Sequence, residues 1–537
     1  MKKEISSAKG FIILSFAGIF AKILAVFNTP LLSRIIGVQG MGMYSRSYDV
    51  FMFVYAITSM GCQPAVAKVV AEFMAIDNKN AVETTLKISR LVYGFIGLSL
   101  MILLISLTYP ITEFGNIVNS RYAIMFLAPS IFFTSILSAY RGYFQGKNEM
   151  SSIAISQMIE QILNVVISLL CAYILSKLSL QMGAAGGTIG TSVGAFISIF
   201  YLVYFYNKNK EDERLFRQSK EQKEVTSKII LRKLFSYAFP ITLSAGIQNL
   251  GSLIDMINVG RRLIYAGFTN AQSDALYGSL SYYKTLIGVP LIIVTALTTI
   301  VLPQVSKAFA LRDKKLIINI INFSFRLVLL LIIPSAVGLA ILHKDIYEIL
   351  FKGDNHSYIM LYGSFILVFI SIAQLQSVIL QGISKFYLMI LSFTTGIVLK
   401  IIANYIFVGI TSINILGVLI GNFLCFFIPV IINNKIIYKS INYKVPLIKM
   451  CVKPTGASIV MAITIMVLKE TIKMLEKVFM VYNFELIILY TIILVCVGFF
   501  IYIFFMVSIG GIKKSDLVFI PSRFYKFIPN FIIKKLK

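Results

Sequence analysis

The sequence predicts an all-α protein that crosses a membrane about fourteen times. Of its 537 residues, 58% are hydrophobic and only 14% are charged, and the mean hydropathy is +0.84. Because soluble domains carry about 25% charged residues, a soluble chain of this composition could not cover its apolar surface. The apolar runs also reach the ~20 residues that a helix needs to cross a bilayer, without the period-two alternation of a barrel strand.

Fourteen apolar runs are long enough to cross the bilayer as helices. The second and the eighth of them are the most polar. The runs lie at about 10–35, 44–71, 90–109, 121–143, 153–177, 185–206, 233–264, 277–305, 321–343, 357–381, 386–409, 413–438, 449–470 and 485–508.

Lys and Arg predict how the chain is oriented. The connections on the N-terminal side of the membrane carry about 35 of them, and those on the opposite side carry about 11. Because basic residues concentrate in cytoplasmic loops, we expect a multi-pass protein of the cell membrane with both termini in the cytoplasm. Most of the net charge of +27 lies in these loops, which indicates contact with anionic lipids and argues against a nucleic-acid partner.

Neither cysteine nor histidine forms a metal-ligand pattern. The five cysteines stand in or beside apolar runs with no CxxC pair, which is typical of small buried side chains. The two histidines, His343 and His356, share one loop. We therefore expect no metal site and no cofactor. Separately, we expect the protein to function as a monomer.

An internal repeat predicts two six-helix lobes. The segment Pro64-Ala-Val-Ala-Lys68 recurs as Pro303-Gln-Val-Ser-Lys307, and the pair Gln145-Gly146 recurs as Gln381-Gly382. Further matches follow in chain order at nearly constant offsets, which indicates duplication of a six-helix unit. Since both units begin on the same side of the membrane, the repeats are parallel, and the last two helices are an addition.

The repeat and the loop composition give the expected domain boundaries. An N-terminal lobe covers 1–206, a charged cytoplasmic linker covers 207–232 and a C-terminal lobe covers 233–440. Two further helices occupy 441–510. The remainder, 511–537, alternates apolar and basic residues without reaching spanning length, so we expect an anchor at the membrane interface.

Charged side chains inside the predicted spans are the candidate functional residues, because each costs at least ~3 kcal/mol at the bilayer centre. They concentrate in spans one and two and in spans seven and eight, the matching pairs of the two repeats. Lys400 lies in span eleven and Arg326 in span nine. The basic candidates for a substrate site are Lys22, Arg34, Arg46, Arg261, Arg262 and Lys284.

An excess of basic residues in a membrane cavity favours an anionic substrate, and arginine in particular favours phosphate. A phosphate group on a membrane-embedded lipid carrier fits this pattern. The alternative is a set of internal ion pairs that fix helix packing, such as Arg46 with Asp49, three residues apart on one helix face. Arg34, Arg261 and Arg262 also stand near span ends, where basic side chains can reach the interface.

Three carboxylates in the spans, Asp49, Glu160 and Asp255, are candidates for coupling transport to protons or Na⁺. A buried carboxylate can titrate near neutral pH. The helices that carry the charges also contain residues that are expected to break or bend them, namely Pro30, Pro64, Pro240, Pro290, Pro303, Gly37, Gly40 and Gly42.

Several stretches resemble one family of membrane transporters. They include LSRIIGVQGMGMYSRSYDVF, GCQPAVAKVVAEF, YRGYFQGKNEMSSIAISQMIEQ, LIDMINVGRRLIYAG, LYGSLSYYK and IVLPQVSKAFA. These stretches resemble the stage V sporulation protein B family of polysaccharide-biosynthesis transporters. That family belongs to the superfamily that also holds multidrug extruders and the lipid II flippase.

The resemblance implies a two-lobed exporter that flips undecaprenyl-diphosphate-linked sugars outward by alternating access, with a groove for the lipid tail at the last two helices. Lys22, Arg34 and Lys284 match basic positions of lipid II flippases. Asn28-Thr29 stands where those flippases carry an Arg-Asp pair, which adds Asn28 to the substrate-site candidates and leaves the cargo open between a peptidoglycan precursor, a teichoic or capsular repeat and another glycolipid.

Two other functions are alternatives to lipid export. An ion-coupled multidrug antiporter of the same superfamily would have a more acidic, aromatic-lined cavity, which the charge balance argues against. A membrane-embedded glycosyl- or acyltransferase would need a carboxylate or histidine constellation at a membrane face. The sequence shows no such constellation, so we expect a transporter and not an enzyme.

Overall fold

The structure is a computed structural model that describes residues 2–215, 225–352, 354–479 and 484–511. Every regular element in these ranges is a helix, which confirms the all-α class. In the first half of the chain the helices are α1 (Lys2–Tyr55), α2 (Cys62–Ala75), α3 (Lys79–Phe114), α4 (Arg121–Gly146), α5 (Met150–Ser176), α6 (Leu180–Leu215) and α7 (Ser227–Tyr265).

A π-helical turn, Ala56–Met60, joins α1 to α2, and a short 3₁₀ turn, Val118–Ser120, precedes α4. The second half of the chain continues the helical pattern. Its helices are α8 (Asn270–Ala310), α9 (Lys314–Ile341), α10 (His343–Leu350), α11 (Tyr358–Gly363), α12 (Ile366–Gly382), α13 (Phe386–Phe407), α14 (Leu416–Ile441), α15 (Leu447–Phe479) and α16 (Phe484–Ser508).

Eleven helical segments among the described residues are long and apolar enough to cross a membrane. The first of them, Phe20–Ala75, has 56 residues. It covers the first predicted span from residue 20 onward and the whole of the second. At ~1.5 Å per residue it is far longer than a bilayer is thick. The seventh and tenth predicted spans fall on α7 and on α11–α12, which do not meet the same criterion. The exact count of fourteen is therefore not confirmed by helix length and composition.

The long first segment is broken at Gly37. This residue has φ 65° and ψ 178° inside α1, a backbone conformation that side chains with a Cβ rarely adopt. By contrast, Pro30 lies inside continuous helix. Pro64 lies in the first turn of α2, where its missing N–H removes no intrahelical hydrogen bond. Gly37 is thus the residue that lets the chain change direction between the first two predicted spans.

The chain forms two compact units. The first contains Met1–Tyr282 and Lys400–Val418, and the second contains Tyr283–Leu399 and Leu419–Lys537. The compact units are defined by which residues pack together, whereas the predicted lobes are defined by the internal sequence repeat. The units therefore do not test the lobe boundaries, which stay a prediction. Of the predicted linker, 216–224 lies outside the described residues, as does the predicted interfacial tail beyond Gly511.

In the first unit, an apolar core is built by α2, α3, α4 and α6. Val66 and Val70 of α2, Tyr140 and Phe144 of α4 and Leu202 of α6 are among its buried members. Two glycines of the motif RGYFQG bring α4 against α2. A Cβ at Gly142 would lie 2.6 Å from the carbonyl oxygen of Gln63, and one at Gly146 would lie 2.6 Å from Cβ of Val70, so a larger residue would separate the helices.

In the second unit, α15 and α16 pack on α9. The buried cluster there contains Met461 and Ile465 of α15, Leu494 and Tyr502 of α16, and Leu342 after α9. The hydroxyl of Tyr502 donates to the backbone oxygen of Leu330 at 2.7 Å. The last two helices are therefore attached to the rest of this unit through side-chain packing and through a hydrogen bond.

Candidate functional site

The most buried charge in the described chain belongs to Arg46, which lies on α1 after the Gly37 break. Its side chain is fully buried and forms an ion pair with Asp274 in the first turns of α8, a residue that is 1% exposed. A second guanidinium nitrogen donates to the hydroxyl and the backbone oxygen of Ser273 at 2.8 and 3.1 Å. The structure therefore pairs Arg46 with a residue 228 positions away.

The second oxygen of Asp274 is also occupied. Asn119 Nδ2 donates to Asp274 Oδ2 at 2.8 Å, and Gln181 Nε2 donates to the amide oxygen of Asn119 at 2.9 Å. Both oxygens of the carboxylate thus accept hydrogen bonds, which is the arrangement that a buried ion pair requires. The bonds connect α1, the turn before α4, α6 and α8.

Asp49, one turn after Arg46, joins the same cluster through an aromatic residue. The hydroxyl of Tyr277 donates to Asp49 Oδ2 at 2.6 Å, and the Arg46 guanidinium lies 4.8 Å from the centre of the Tyr277 ring. We call the side chains Arg46, Asp49, Asn119, Ser273, Asp274 and Tyr277 the Arg46 network.

Glycines allow the two helices of this network to touch. A Cβ at Gly42 would overlap the carbonyl oxygen of Asp274, and a Cβ at Gly278 would overlap the carbonyl oxygen of Val38. One turn further along α8, the hydroxyls of Ser33 and Tyr282 are hydrogen-bonded to each other. The backbones of α1 and of the start of α8 are therefore in close contact, and the buried ion pair between Arg46 and Asp274 stabilises this contact.

A second buried pair links α7 to α13. Lys400 Nζ lies 2.8 Å from Asp255 Oδ2, and Asn404 Nδ2 donates to Asp255 Oδ1 at 2.7 Å. Lys400 is 5% exposed, Asp255 is 1% exposed and Asn404 is 0% exposed. Two of the predicted in-span charges are thus partners of each other.

The two arginines at the end of α7 lie against aromatic rings. The guanidinium of Arg262 is 4.2 Å from the ring centres of both Tyr265 and Tyr405, and that of Arg261 is 4.4 Å from the ring of Phe114. Such contacts stabilise a cation by about 0.5–2 kcal/mol, depending on burial. Arg261 is exposed and Arg262 is half-buried.

A more exposed cluster joins the end of α2 to the start of α7. Glu72 accepts a hydrogen bond from Lys233 Nζ at 2.6 Å and one from the hydroxyl of Tyr237 at 2.7 Å. The ammonium group of Lys68 lies 3.7 Å from the centre of the Tyr237 ring. We call these four residues the Glu72 cluster.

The other predicted site residues are dispersed. Glu160 forms an ion pair with Arg141 at 2.7 Å within the first unit. Lys22 and Arg34 are exposed, whereas Asn28 is buried and its Oδ1 has no hydrogen-bond partner among the described residues. Lys284 is half-buried in the second unit. Of the predicted residues, the structure brings Arg46 and Asp49 into one network, and their roles in binding or coupling stay predictions.

Sequence reasoning missed Asp274, Tyr277, Asn119 and Asn404. Asp274 stands just outside the predicted eighth span, so a search for charges inside spans passes over it. Tyr277 and Asn404 carry no charge. The available signal was the spacing of Ser273, Asp274, Tyr277 and Gly278, which places these four residues within about one helical turn of each other at the start of α8.

The second unit contains an apolar groove of about 510 Å³. It is lined by residues of α8, α9, α15 and α16 and by the start of α10. Its two hydroxyl groups, on Ser335 and Tyr502, are bonded to backbone oxygens. The groove therefore presents an apolar wall, as the prediction of a groove at the last two helices requires.

A buried ion pair lies beyond the groove along two of its helices. Asp345 of α10 forms an ion pair with Lys469 of α15, and the hydroxyl of Tyr490 on α16 donates to Asp345 at 3.2 Å. The pair follows the groove residues Ile465 and Leu342 along the chain. It fixes the short helix α10 to the hairpin of the last two helices.

Comparisons with known proteins agree with this fold. The family model for polysaccharide biosynthesis proteins matches residues 7–309, more than half of the chain. The lipid II flippase MurJ of Bacillus subtilis (strain 168) is 23% identical over 417 residues, covering 74% of this chain and 76% of the flippase. The stage V sporulation protein B of the same organism is 25% identical over 377 residues, covering 69% of this chain and 72% of that protein.

Solved structures show the same architecture. A lipid II flippase MurJ in an inward closed conformation has a TM-score of 0.68 at 18% identity and covers 94% of this chain and 100% of its own. An inward-facing multidrug resistance MATE family transporter of the MOP superfamily has a TM-score of 0.65 at 14% identity and covers 78% of this chain and 94% of its own.

The helical fold and these comparisons define a multi-pass membrane protein with the fold of lipid II flippases and MATE family transporters. The chain belongs to the polysaccharide biosynthesis protein family. The resemblance to this family that the sequence motifs indicated is confirmed.

Proposed function

We propose that this membrane protein is a flippase that carries an undecaprenyl-diphosphate-linked sugar precursor across the cytoplasmic membrane by alternating access. The observation that carries the proposal is the apolar groove formed with the last two helices. A groove without free polar groups suits the hydrocarbon tail of a lipid carrier, because a tail packed against it leaves no buried polar group without a hydrogen bond. A relative named as a lipid II flippase supports the same substrate class.

Lys284 supplies a basic group on α8, the helix that also lines the groove. It lies two residues before Leu286, the first groove residue on α8, and therefore on a different face of that helix, and it is half-buried. An ammonium group on a membrane-spanning helix suits the diphosphate of a lipid-linked sugar. Arg34 and Lys22, whose side chains are exposed, are the further basic groups that we assign to the anionic part of the substrate.

The Arg46 network is the proposed gate. In the predicted orientation the connection between the first two spans lies on the outer side, so the contact of α1 with the start of α8 closes that side. The Glu72 cluster lies at the cytoplasmic side in the same orientation. Alternating access requires that such contacts break and re-form in turn. Coupling to a proton or Na⁺ through Asp49 or Glu160 is part of this proposal.

Complementation tests the substrate class. A strain depleted of its lipid II flippase should grow when this protein is expressed, or the host that normally makes this protein should accumulate a lipid-linked sugar when it is deleted. A Lys284→Ala variant should express normally and lose this activity. Absence of both rescue and accumulation would contradict the proposal, and efflux of cationic drugs in the same cells would favour the multidrug antiporter.

A further inference from the structure

Asp255, Lys400 and Asn404 form a buried polar cluster between α7 and α13 in the first unit. Lys400 Nζ is 2.8 Å from one carboxylate oxygen of Asp255, and Asn404 Nδ2 is 2.7 Å from the other. All three side chains are more than nine-tenths buried. An ionised carboxylate at such a place needs a positive charge beside it, and Lys400 supplies that charge.

One oxygen of the cluster is left unpaired. Asn404 Oδ1 is buried and has no hydrogen-bond partner in the part of the chain that the structure describes. A buried amide oxygen without a donor destabilises a fold. Carboxylate and amide oxygens are, however, the ligands that small hard cations prefer. Asp255 and Asn404 therefore have the donor chemistry of a cation site.

The ammonium group lies against the backbone of α7. Lys400 belongs to α13, and a Cβ at Gly251, one turn before Asp255, would lie 3.7 Å from Lys400 Nζ. At this distance a Cβ would make ordinary van der Waals contact with the ammonium group, so the end of the lysine side chain lies directly beside α7. The positive charge of the site thus comes from the chain itself and is tethered by the lysine stem.

We propose that the Asp255 carboxylate, held at its other oxygen by Asn404, is the ligand of a monovalent-cation site whose permanent occupant is the ammonium group of Lys400. The site is then neutral without any ion from solution, and a bulk cation such as Na⁺ has neither a free charge nor an open position to bind. The proposal goes beyond lipid export, because it makes this part of the transporter independent of a Na⁺ gradient and assigns Asp255 a fixed internal partner.

Removal of the tethered charge should turn the site into one for free Na⁺. Purified full-length protein in detergent is heated in NaCl or in choline chloride of the same ionic strength, and the Tm is measured. The wild-type Tm should be equal in the two salts. The Tm of Lys400→Ser should be lower in choline chloride and should rise with increasing NaCl until it saturates. The double variant Asp255→Asn/Lys400→Ser should lose this Na⁺ response.

Equal Tm values for Lys400→Ser in the two salts would overturn the proposal, as would a Na⁺-specific rise in the wild-type Tm that Asp255→Asn abolishes. If Lys400→Ser does not fold, Asn404→Asp decides. It keeps Lys400 and adds one negative charge to the cluster, so a Na⁺-specific rise in Tm is expected and its absence contradicts the proposal. Lipid transport by the wild type can fail without affecting any of these results.

Discussion

Arg46 and Asp274 form a fully buried ion pair that joins α1, beyond its break at Gly37, to the first turns of α8. The pair is supported by Ser273 and Asn119, so that both carboxylate oxygens and two guanidinium nitrogens have partners. Buried charges of this kind hold a specific arrangement of helices more than they add to stability. A contact that must open during transport is a suitable place for such a pair.

Removing one partner of this pair should be costly. Asp274→Leu removes the carboxylate that is paired with the buried Arg46 guanidinium, so we expect a loss of about 3–5 kcal/mol in the free energy of unfolding. Arg46→Met should cause a similar loss. The double variant Arg46→Met/Asp274→Leu should recover much of it, because apolar side chains replace both charges. Thermal unfolding of the four proteins measures this coupling, and additive losses would show that the two residues act separately.

The glycines at the contact should tolerate no methyl group. A Cβ at Gly42 or Gly278 would overlap a backbone oxygen of the opposite helix, and overpacking of this kind costs about 1–3 kcal/mol. Gly42→Ala and Gly278→Ala should therefore prevent closure and abolish transport at normal expression. Gly288→Ala is the control, since a Cβ there meets open space. Transport by Gly42→Ala at the rate of this control would contradict the gate.

The Glu72 cluster should contribute much less to stability than the Arg46 network. The side chains of Glu72 and Lys233 are 32% and 37% exposed, and ion pairs at such positions are worth about 0–1 kcal/mol. Glu72→Gln should therefore lower the Tm only slightly while changing the rate of transport, because the cluster joins α2 to α7. A drop in Tm as large as that of Asp274→Leu would contradict this distinction.

The ion pair between Asp345 and Lys469 should anchor α10. Asp345→Asn leaves the ammonium group of Lys469 without its counter-charge and should lower the free energy of unfolding by about 3–5 kcal/mol. Tyr490→Phe removes one hydrogen bond to the same carboxylate and should cost about 1.5–3 kcal/mol or less. Denaturation of both variants checks the order, and an equal effect would mean that the ion pair adds nothing beyond the hydrogen bond.

The sequence predicted the class of the fold because hydropathy and length determine it. Every span prediction used the apolar runs, and the structure places helices on them. The break at Gly37 was among the predicted breaks because only glycine adopts such a backbone angle readily. The interhelical pairs could not be predicted, since no local pattern relates Asp255 to Lys400 or Arg46 to Asp274. Helix periodicity predicts on which face of its own helix a charged residue lies. Only the fold determines which neighbouring helix packs against that face.

Transport in reconstituted vesicles tests the central claim most directly. Vesicles that contain the purified protein and a labelled undecaprenyl-diphosphate-linked sugar should move the label between leaflets. Gly338→Leu, which places a side chain into the open space of the groove, should slow this movement at least about tenfold, equivalent to about 1.4 kcal/mol. Gly456→Leu is the control, because a Cβ at Gly456 also meets open space but Gly456 does not line the groove. This variant should move the label at the wild-type rate. Absence of movement by the wild type, or equal rates for both variants, would contradict the account.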